Sequence, residues 1–182
     1  MISGTRFPAL IACLLSATGL TAQGVPFSQH ATVSQRVSYT DIEVTYNRPT
    51  ARHRRLFGGD SAAVVKFGRL WHPGADSATR IRFGTDVSFE GRALPRGEYS
   101  IWLLPQADGP WTVILNSATH VLHTPYPGEA TDVVRVPVVP EKGTHMDALA
   151  YYFPVVARDS TVLHMHWGEV IVPMHIRVSR EP

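Results

Sequence analysis

The chain has 182 residues, 44% of them hydrophobic and 18% charged, with 17 Lys and Arg against 15 Asp and Glu. That length and balance suit one domain with a real core and exclude a disordered chain. The near-neutral charge gives no reason to expect nucleic acid or a membrane surface as a partner.

Residues 1–22 read as a secretory signal, with Arg6 as the positive start, a mostly apolar run from Phe7 to Leu20, and a small residue at the cut in Leu20-Thr21-Ala22. The apolar run is too short to span a bilayer comfortably, so no transmembrane span is expected after cleavage. The mature chain then starts near Gln23 in the periplasm or outside the cell. Leu10-Ile11-Ala12-Cys13 also resembles a lipoprotein box, but too little apolar sequence precedes Cys13, and lipid anchoring there is the lesser reading. Cys13 is the only cysteine, so cleavage after Ala22 removes disulfides, thiolate metal sites and a cysteine nucleophile together.

Residues 23–30 form a short polar lead-in, and 31–180 read as one β domain. Ala31 to Ser38 and Asp41 to Asn47 predict a first hairpin, with Ile42, Val44 and Tyr46 on one face and Glu43, Thr45 and Asn47 on the other. Arg48-Pro49 ends it, because proline cannot continue a ladder. The basic segment 50–60 carries Arg52, His53, Arg54 and Arg55, whose guanidinium forks suit a carboxylate or phosphate, or acidic groups of the protein itself. Residues 62–70 suggest a helical turn leading into Trp71.

Trp71 to Phe83, WHPGADSATRIRF, is the stretch around which the rest is organised. An aromatic anchor and a Pro-Gly turn precede a strand in which Ile81 and Phe83 alternate with Arg80 and Arg82. The loop presents His72, Asp76, Ser77 and Thr79 at a strand mouth, where binding residues tend to collect. The plainer alternative is that Asp76 and Ser77 only bond the turn backbone. Further on, Glu98 to Leu104 is apolar on both faces and reads as a central strand. Residues 117–131 form a long loop rich in His, Pro and Tyr, and Pro137 and Pro140 place the strand from Thr131 to Val139 at an edge or a bulge.

The count is about nine or ten short strands with Gly or Pro between them and little helix. That predicts an antiparallel β-sandwich, immunoglobulin-like or jelly-roll-like.

Near the C-terminus, Leu163 to Glu169 places His164 and His166 on one strand face and Leu163, Met165 and Trp167 on the other. A two-residue turn at Gly168-Glu169 would pair Trp167 with Val170 and bring His175 diagonally near His164. Three imidazoles so placed suit zinc or copper, and otherwise they form a solvated outer face.

Several segments together resemble a known family: Tyr46-Asn47-Arg48-Pro49 with Arg54 and Phe57-Gly58, then Trp71 to Phe83, Leu94 to Pro105, Trp111 to Asn116, Asp132 to Val136 and the final hairpin. They are similar to the bacterial exported proteins grouped as domain of unknown function 2911. Here His72 stands where that family typically shows Arg, and Asp76 where it shows Asn. The resemblance implies an envelope protein of β-rich fold and supplies no activity.

There is no Gly-x-Ser-x-Gly elbow, phosphate loop, dinucleotide fingerprint or buried carboxylate pair to mark an enzyme. The reading is therefore an exported, non-catalytic module that binds an envelope partner protein or a small glycan-like ligand. Its candidate residues are His72, Asp76, Ser77 and Thr79, with Arg48 and Arg54 as electrostatic neighbours. The alternatives are a metal-binding protein using His164, His166 and His175, and a structural envelope domain without ligand. Trp102 is the one tryptophan placed to stack on a sugar, because Tyr99, Ile101 and Leu103 take the other face.

Overall fold

The computed structural model describes Met1 and residues 27–180. The signal reading, apart from Met1, and Cys13 lie outside the described residues.

β1 (Gln29–Val37) and β2 (Thr40–Arg48) form the expected first hairpin, with Val33 opposite Val44. Ile42, Val44 and Tyr46 are buried, as their alternation requires. Pro49 ends the ladder, and the next residues cross to the other sheet: Ala51 N–H donates to Asp147 O (2.7 Å) and Leu149 N–H to Pro49 O (2.9 Å).

The helical turn expected over 62–70 does not form. Instead β3 (Phe57–Gly58) and β4 (Val65–Lys66) pair in parallel. The carbonyls of Leu56 and Gly58 accept from Val65 N–H (2.7 Å) and Phe67 N–H (2.9 Å), and the β-branched Val65 buries its side chain.

β5 (Arg80–Phe83), β8 (Gly97–Leu104), β9 (Trp111–Asn116) and β10 (Asp132–Val138) join the first hairpin in a six-stranded antiparallel sheet ordered β1-β2-β5-β8-β9-β10. The central position read for 98–104 holds, with Tyr99 through Leu103 all buried. β10 is an edge strand, which accommodates Pro137 opposite Thr112, and it carries a bulge between Asp132 and Val134. The second sheet is ordered β11-β12-β6-β7, from β6 (Val87–Phe89), β7 (Arg92–Leu94), β11 (Glu141–Val156) and β12 (Ser160–Val178). Among the described residues there are twelve strands rather than nine or ten, one short 3-10 turn at Glu129–Thr131 and no α-helix.

β12 is extended throughout but is not straight. Nineteen residues at about 3.3 Å each would separate its ends by roughly 60 Å, yet Val178 N–H donates to the carbonyl of Asp159 at 2.9 Å. The strand therefore doubles back, and Gly168, at φ +60°, beside exposed Glu169 marks the turn. Asp159 opposite Val178 is the register a two-residue turn at 168–169 sets. β11 hooks round the tip, pairing Lys142 with Val170, Met146 with Gly168 and Ala150 with His166, with register shifts on either side of Met146.

The inner faces of the two sheets meet in a core that includes Ile81, Phe83, Phe89, Ile101, Leu103, Leu115, Leu149, Leu163, Met165 and Met174. At one end Trp167 stacks on Trp71 (ring centroids 5.9 Å, 14° between planes), and Phe57 packs edge-on against both.

Candidate functional site

Strand register places one polar row across the outer face of the six-stranded sheet. Thr32 pairs with Thr45, Thr45 with Arg80, Arg80 with Ser100, Ser100 with Asn116, and Asn116 with Asp132. Directly paired residues share a face, so all six strands contribute one polar side chain to this lane.

Half of the lane is open. A hollow of about 450 Å³ is lined by Ser28, Gln29, His30, Asn47 and Asp76. A second of about 330 Å³ is lined by Ser77, Arg80 and the segment 119–122. A recess of about 20 Å³ lies between them, sharing His30 and Asn47 with the first and Ser77 and Arg80 with the second. His30 Nδ1 bonds Asn47 Oδ1 (3.1 Å), and Asn47 Nδ2 donates to Ala75 O (3.0 Å), so Asn47 ties the first hairpin to the 72–79 loop. Arg80 Nη1 donates to Glu98 Oε1 (3.2 Å), and His120 Nε2 lies 3.8 Å from Glu98 Oε2. A cation, two carboxylates, imidazoles and hydroxyls thus surround the open lane.

The structure divides the residues read from the 72–79 loop into two kinds. His72 and Thr79 are buried, at 3% and 0% exposure. Thr79 N–H donates to His72 Nε2, and Thr79 Oγ1 to Pro73 O (2.9 Å), a carbonyl that also accepts from Tyr151 OH (3.0 Å). These two build the loop's base. Burial, then the neighbouring His123, pushes the His72 imidazole down to about 3. Because Nε2 accepts a bond, the proton of the neutral ring sits on Nδ1, which is buried with no partner among the described residues. Asp76 and Ser77 are exposed at the edge of the lane, Asp76 with φ +61°. The backbone of Asp76 holds the neighbouring loop, accepting from His123 N–H and from His123 Nδ1–H at 2.8 Å each.

The other half of the lane is covered. Residues 117–131 cross it as a strap, with Ser100 Oγ donating to Ala118 O (2.8 Å), and Asn116 Nδ2 to Thr131 Oγ1 and Asp132 Oδ1 (2.8 Å each). Trp102, read from the sequence as an available stacking surface, is only 2% exposed: Tyr126 packs edge-on against it at 5.2 Å and His72 at 5.6 Å. Asp132 also accepts from Tyr126 OH and from Arg135 Nη1 (2.6 Å). Burial, then that carboxylate, pushes the Tyr126 phenol up to about 12.

Replacing Asp132 by Ala removes the acceptor of Tyr126 OH and one of the acceptors of Asn116 Nδ2 and Arg135 Nη1, and is expected to cost about 1–3 kcal/mol. Urea denaturation checks this, and Asp132→Asn, which keeps an acceptor for Tyr126, should lose less. A change below about 0.5 kcal/mol, the ordinary surface range, would show that Asp132 does not clamp the strap.

Arg48 and Arg54 do not reach the lane. Alternation sends Arg48 to the face opposite Asn47, and its Nε donates to Leu149 O (3.0 Å). Arg54 donates from Nε to Ala51 O (3.0 Å) and from Nη2 to Thr50 O (2.7 Å). Their guanidinium groups hold the crossing between the sheets. Arg55 in the same segment pairs with Asp60 (2.9 Å).

The three C-terminal histidines are not gathered on one centre. His166 is buried beneath Gly143 and Thr144, donating from Nε2 to Thr144 O (3.0 Å) and accepting at Nδ1 from Tyr152 OH (3.1 Å). His164 reaches the same hydroxyl from Nδ1 at 3.4 Å, and burial holds it below the usual imidazole range. His175 instead bonds Glu90 through Nδ1 (3.0 Å). The solvated face expected for these residues is corrected for His166, because the hooked start of β11 lies over it. Among the described residues no group of three or more His, Cys, Asp or Glu is arranged to hold a metal ion, and no helix is long and apolar enough to cross a membrane.

Sequence reasoning missed His30, Asn47, Arg80 and His120 as members of one site. The outward alternation of Thr45, Asn47 and Arg80 was a usable signal, but the register that aligns them comes from pairing between distant segments. No curated protein and no solved structure matches the chain. Residues 28–176 match the family described as "Protein of unknown function (DUF2911)", and with well over half of its length matched and the β-rich architecture in place, the chain belongs to the DUF2911 family.

Proposed function

We propose that this protein is a non-catalytic binding module for a small, polyhydroxylated, glycan-like ligand that lies along the open lane of the six-stranded sheet. The observation that carries this reading is the set of neighbouring hollows running from His30 and Asn47 to Ser77, Arg80 and His120, with Thr45 and Arg80 of the polar row lining the recess between the two larger ones. Hollows of about 330 and 450 Å³ are the size of small-molecule sites. They suit a short saccharide better than the broad contact an envelope protein partner would make. Hydroxyl-rich ligands need donors and acceptors at close spacing, and Arg80, Ser77, Thr45 and Asp76 supply both. Export to the cell envelope, as the leader suggests, belongs to the same proposal.

The test is isothermal titration with neutral tetrasaccharides, namely chitotetraose, cellotetraose and maltotetraose, on wild type and Arg80→Gln. At least one sugar should bind wild type, and the substitution should weaken it about ten-fold, the value of one charge-assisted hydrogen bond. Failure of all three sugars to bind would sink the reading.

A further inference from the structure

The covered half of the lane has features that covering alone does not explain. Its floor is the indole of Trp102, flanked by the fully buried polar Ser100 and Asn116 and by the ring of His72. Buried polar groups on the outer face of a sheet are unusual, because such faces normally meet water. The His72 ring lies edge-on beside Trp102, and its Nδ1–H is buried with no acceptor among the described residues; a buried donor without a partner is disfavoured.

The cover itself is lightly held. None of the fifteen residues from 117 to 131 is buried, and Leu122 is 67% exposed. Apart from the contacts of Asn116 and Ser117 near its ends and of Tyr126, the strap is held by the Ser100 Oγ bond to Ala118 O, by the surface ion pairs His120–Glu98 and Glu129–Arg135, and by bonds to the 72–79 loop. Ala78 N–H donates to Val121 O (2.9 Å), and His123 bonds Asp76 O. Segments with little apolar burial open at low free-energy cost, and loops of this length with as little regular structure as one 3-10 turn and one isolated bridge are commonly lids or binding loops.

Tyr126 makes the point specific. Its ring packs edge-on against Trp102, and its hydroxyl donates to the carboxylate of Asp132, the last member of the polar row. A pyranose, with C–H groups along its ring and hydroxyls at its rim, can offer the indole and the carboxylate the same two kinds of contact.

Building on the glycan-binding reading above, we propose that residues 117–131 form a displaceable strap over a second subsite floored by Trp102, and that Tyr126 occupies the position a sugar ring takes when the strap lifts. The ligand is then an oligosaccharide long enough to lie on both halves of the lane. One ring rests among His30, Asn47, Ser77 and Arg80, and another on Trp102, with Ser100, Asn116, Asp132 and His72 Nδ1–H released to it. Trp102 is reserved for a ring that can displace Tyr126.

Releasing the strap tests this. Tyr126 packs against Trp102 and lines neither hollow of the open half, so Tyr126→Gly is compared with wild type using the same three tetrasaccharides. The variant should bind at least one of them about ten-fold more tightly, because no ring has to be displaced, and binding should shift the Trp102 indole N–H resonance.

Equal affinity of wild type and Tyr126→Gly, with Arg80→Gln still impaired, would overturn the strap and leave the open-lane reading standing. Tighter binding by Tyr126→Gly that leaves the Trp102 resonance unmoved would overturn Trp102 as the floor. Absence of binding both to wild type and to Tyr126→Gly would overturn both readings.

Discussion

Acidification from pH 6.5 to about 3 is expected to remove on the order of 4 kcal/mol of stability through His72 alone. The sign follows from where the proton goes. In the folded protein the ring is buried, accepts the Thr79 N–H at Nε2 and stays neutral down to about 3. Once unfolded it protonates near the ordinary imidazole value of 6.5. Between those values the unfolded chain binds more protons, so the contribution is fully present above pH 6.5 and is lost progressively as pH falls. Carboxylates titrate in the lower part of the same window, so the decisive quantity is a difference between variants. His72→Gln keeps an acceptor near the Nε2 position but cannot titrate, and urea midpoints measured at pH 7, 5 and 4 should fall less steeply for it than for wild type. Parallel pH profiles would show that His72 is not the group responsible.

Trp167→Ala is the substitution with the largest expected effect at neutral pH, a loss of about 3–5 kcal/mol. The indole is 1% exposed, stacks on Trp71, meets Phe57 edge-on and donates from Nε1 to Asp147 O (3.1 Å). Its removal opens a large cavity where the two sheets and the β3–β4 pair converge, and strands tied to three separate segments cannot collapse to fill it. Thermal unfolding should show a midpoint drop of roughly 10 °C or more. Trp167→Phe should retain part of the packing while losing the hydrogen bond and fall between wild type and Ala. A loss under about 1 kcal/mol would mean that this aromatic cluster is peripheral to the fold.

How much of the candidate site was legible depended on the range of the interaction involved. The 72–79 loop was found from its turn residues, and Asp76 and Ser77 do sit at the edge of a hollow. His72 and Thr79 were grouped with them, because a loop sequence does not say which polar side chains turn inward to bond the loop's own backbone. Arg48 and Arg54 read as electrostatic neighbours of that loop, since the carbonyls they bond instead belong partly to β11, about a hundred residues away for Arg48. Trp102 read as open because its outward face was inferred correctly while the strap that covers it was seen only as a loop. The histidine hairpin was legible in its turn, yet the burial of His166 depends on Gly143 lying over it, and a hook in β11 has no local signature.

What the sequence by itself determined is the antiparallel sandwich. Period-2 alternation, proline stops and glycine turns are local instructions, and they state which side chains face inward and where each strand ends. What only the tertiary structure decided is the lane, its open and covered halves, and the sharing of buried donors between loop and strap. Thr32, Thr45, Arg80, Ser100, Asn116 and Asp132 lie far apart along the chain and become neighbours only through the register of five strand pairings. Register is set by the joint burial of the whole inner face, since a slip of one residue would turn every strand inside out, and that is a property of the assembled sheet rather than of any stretch within it.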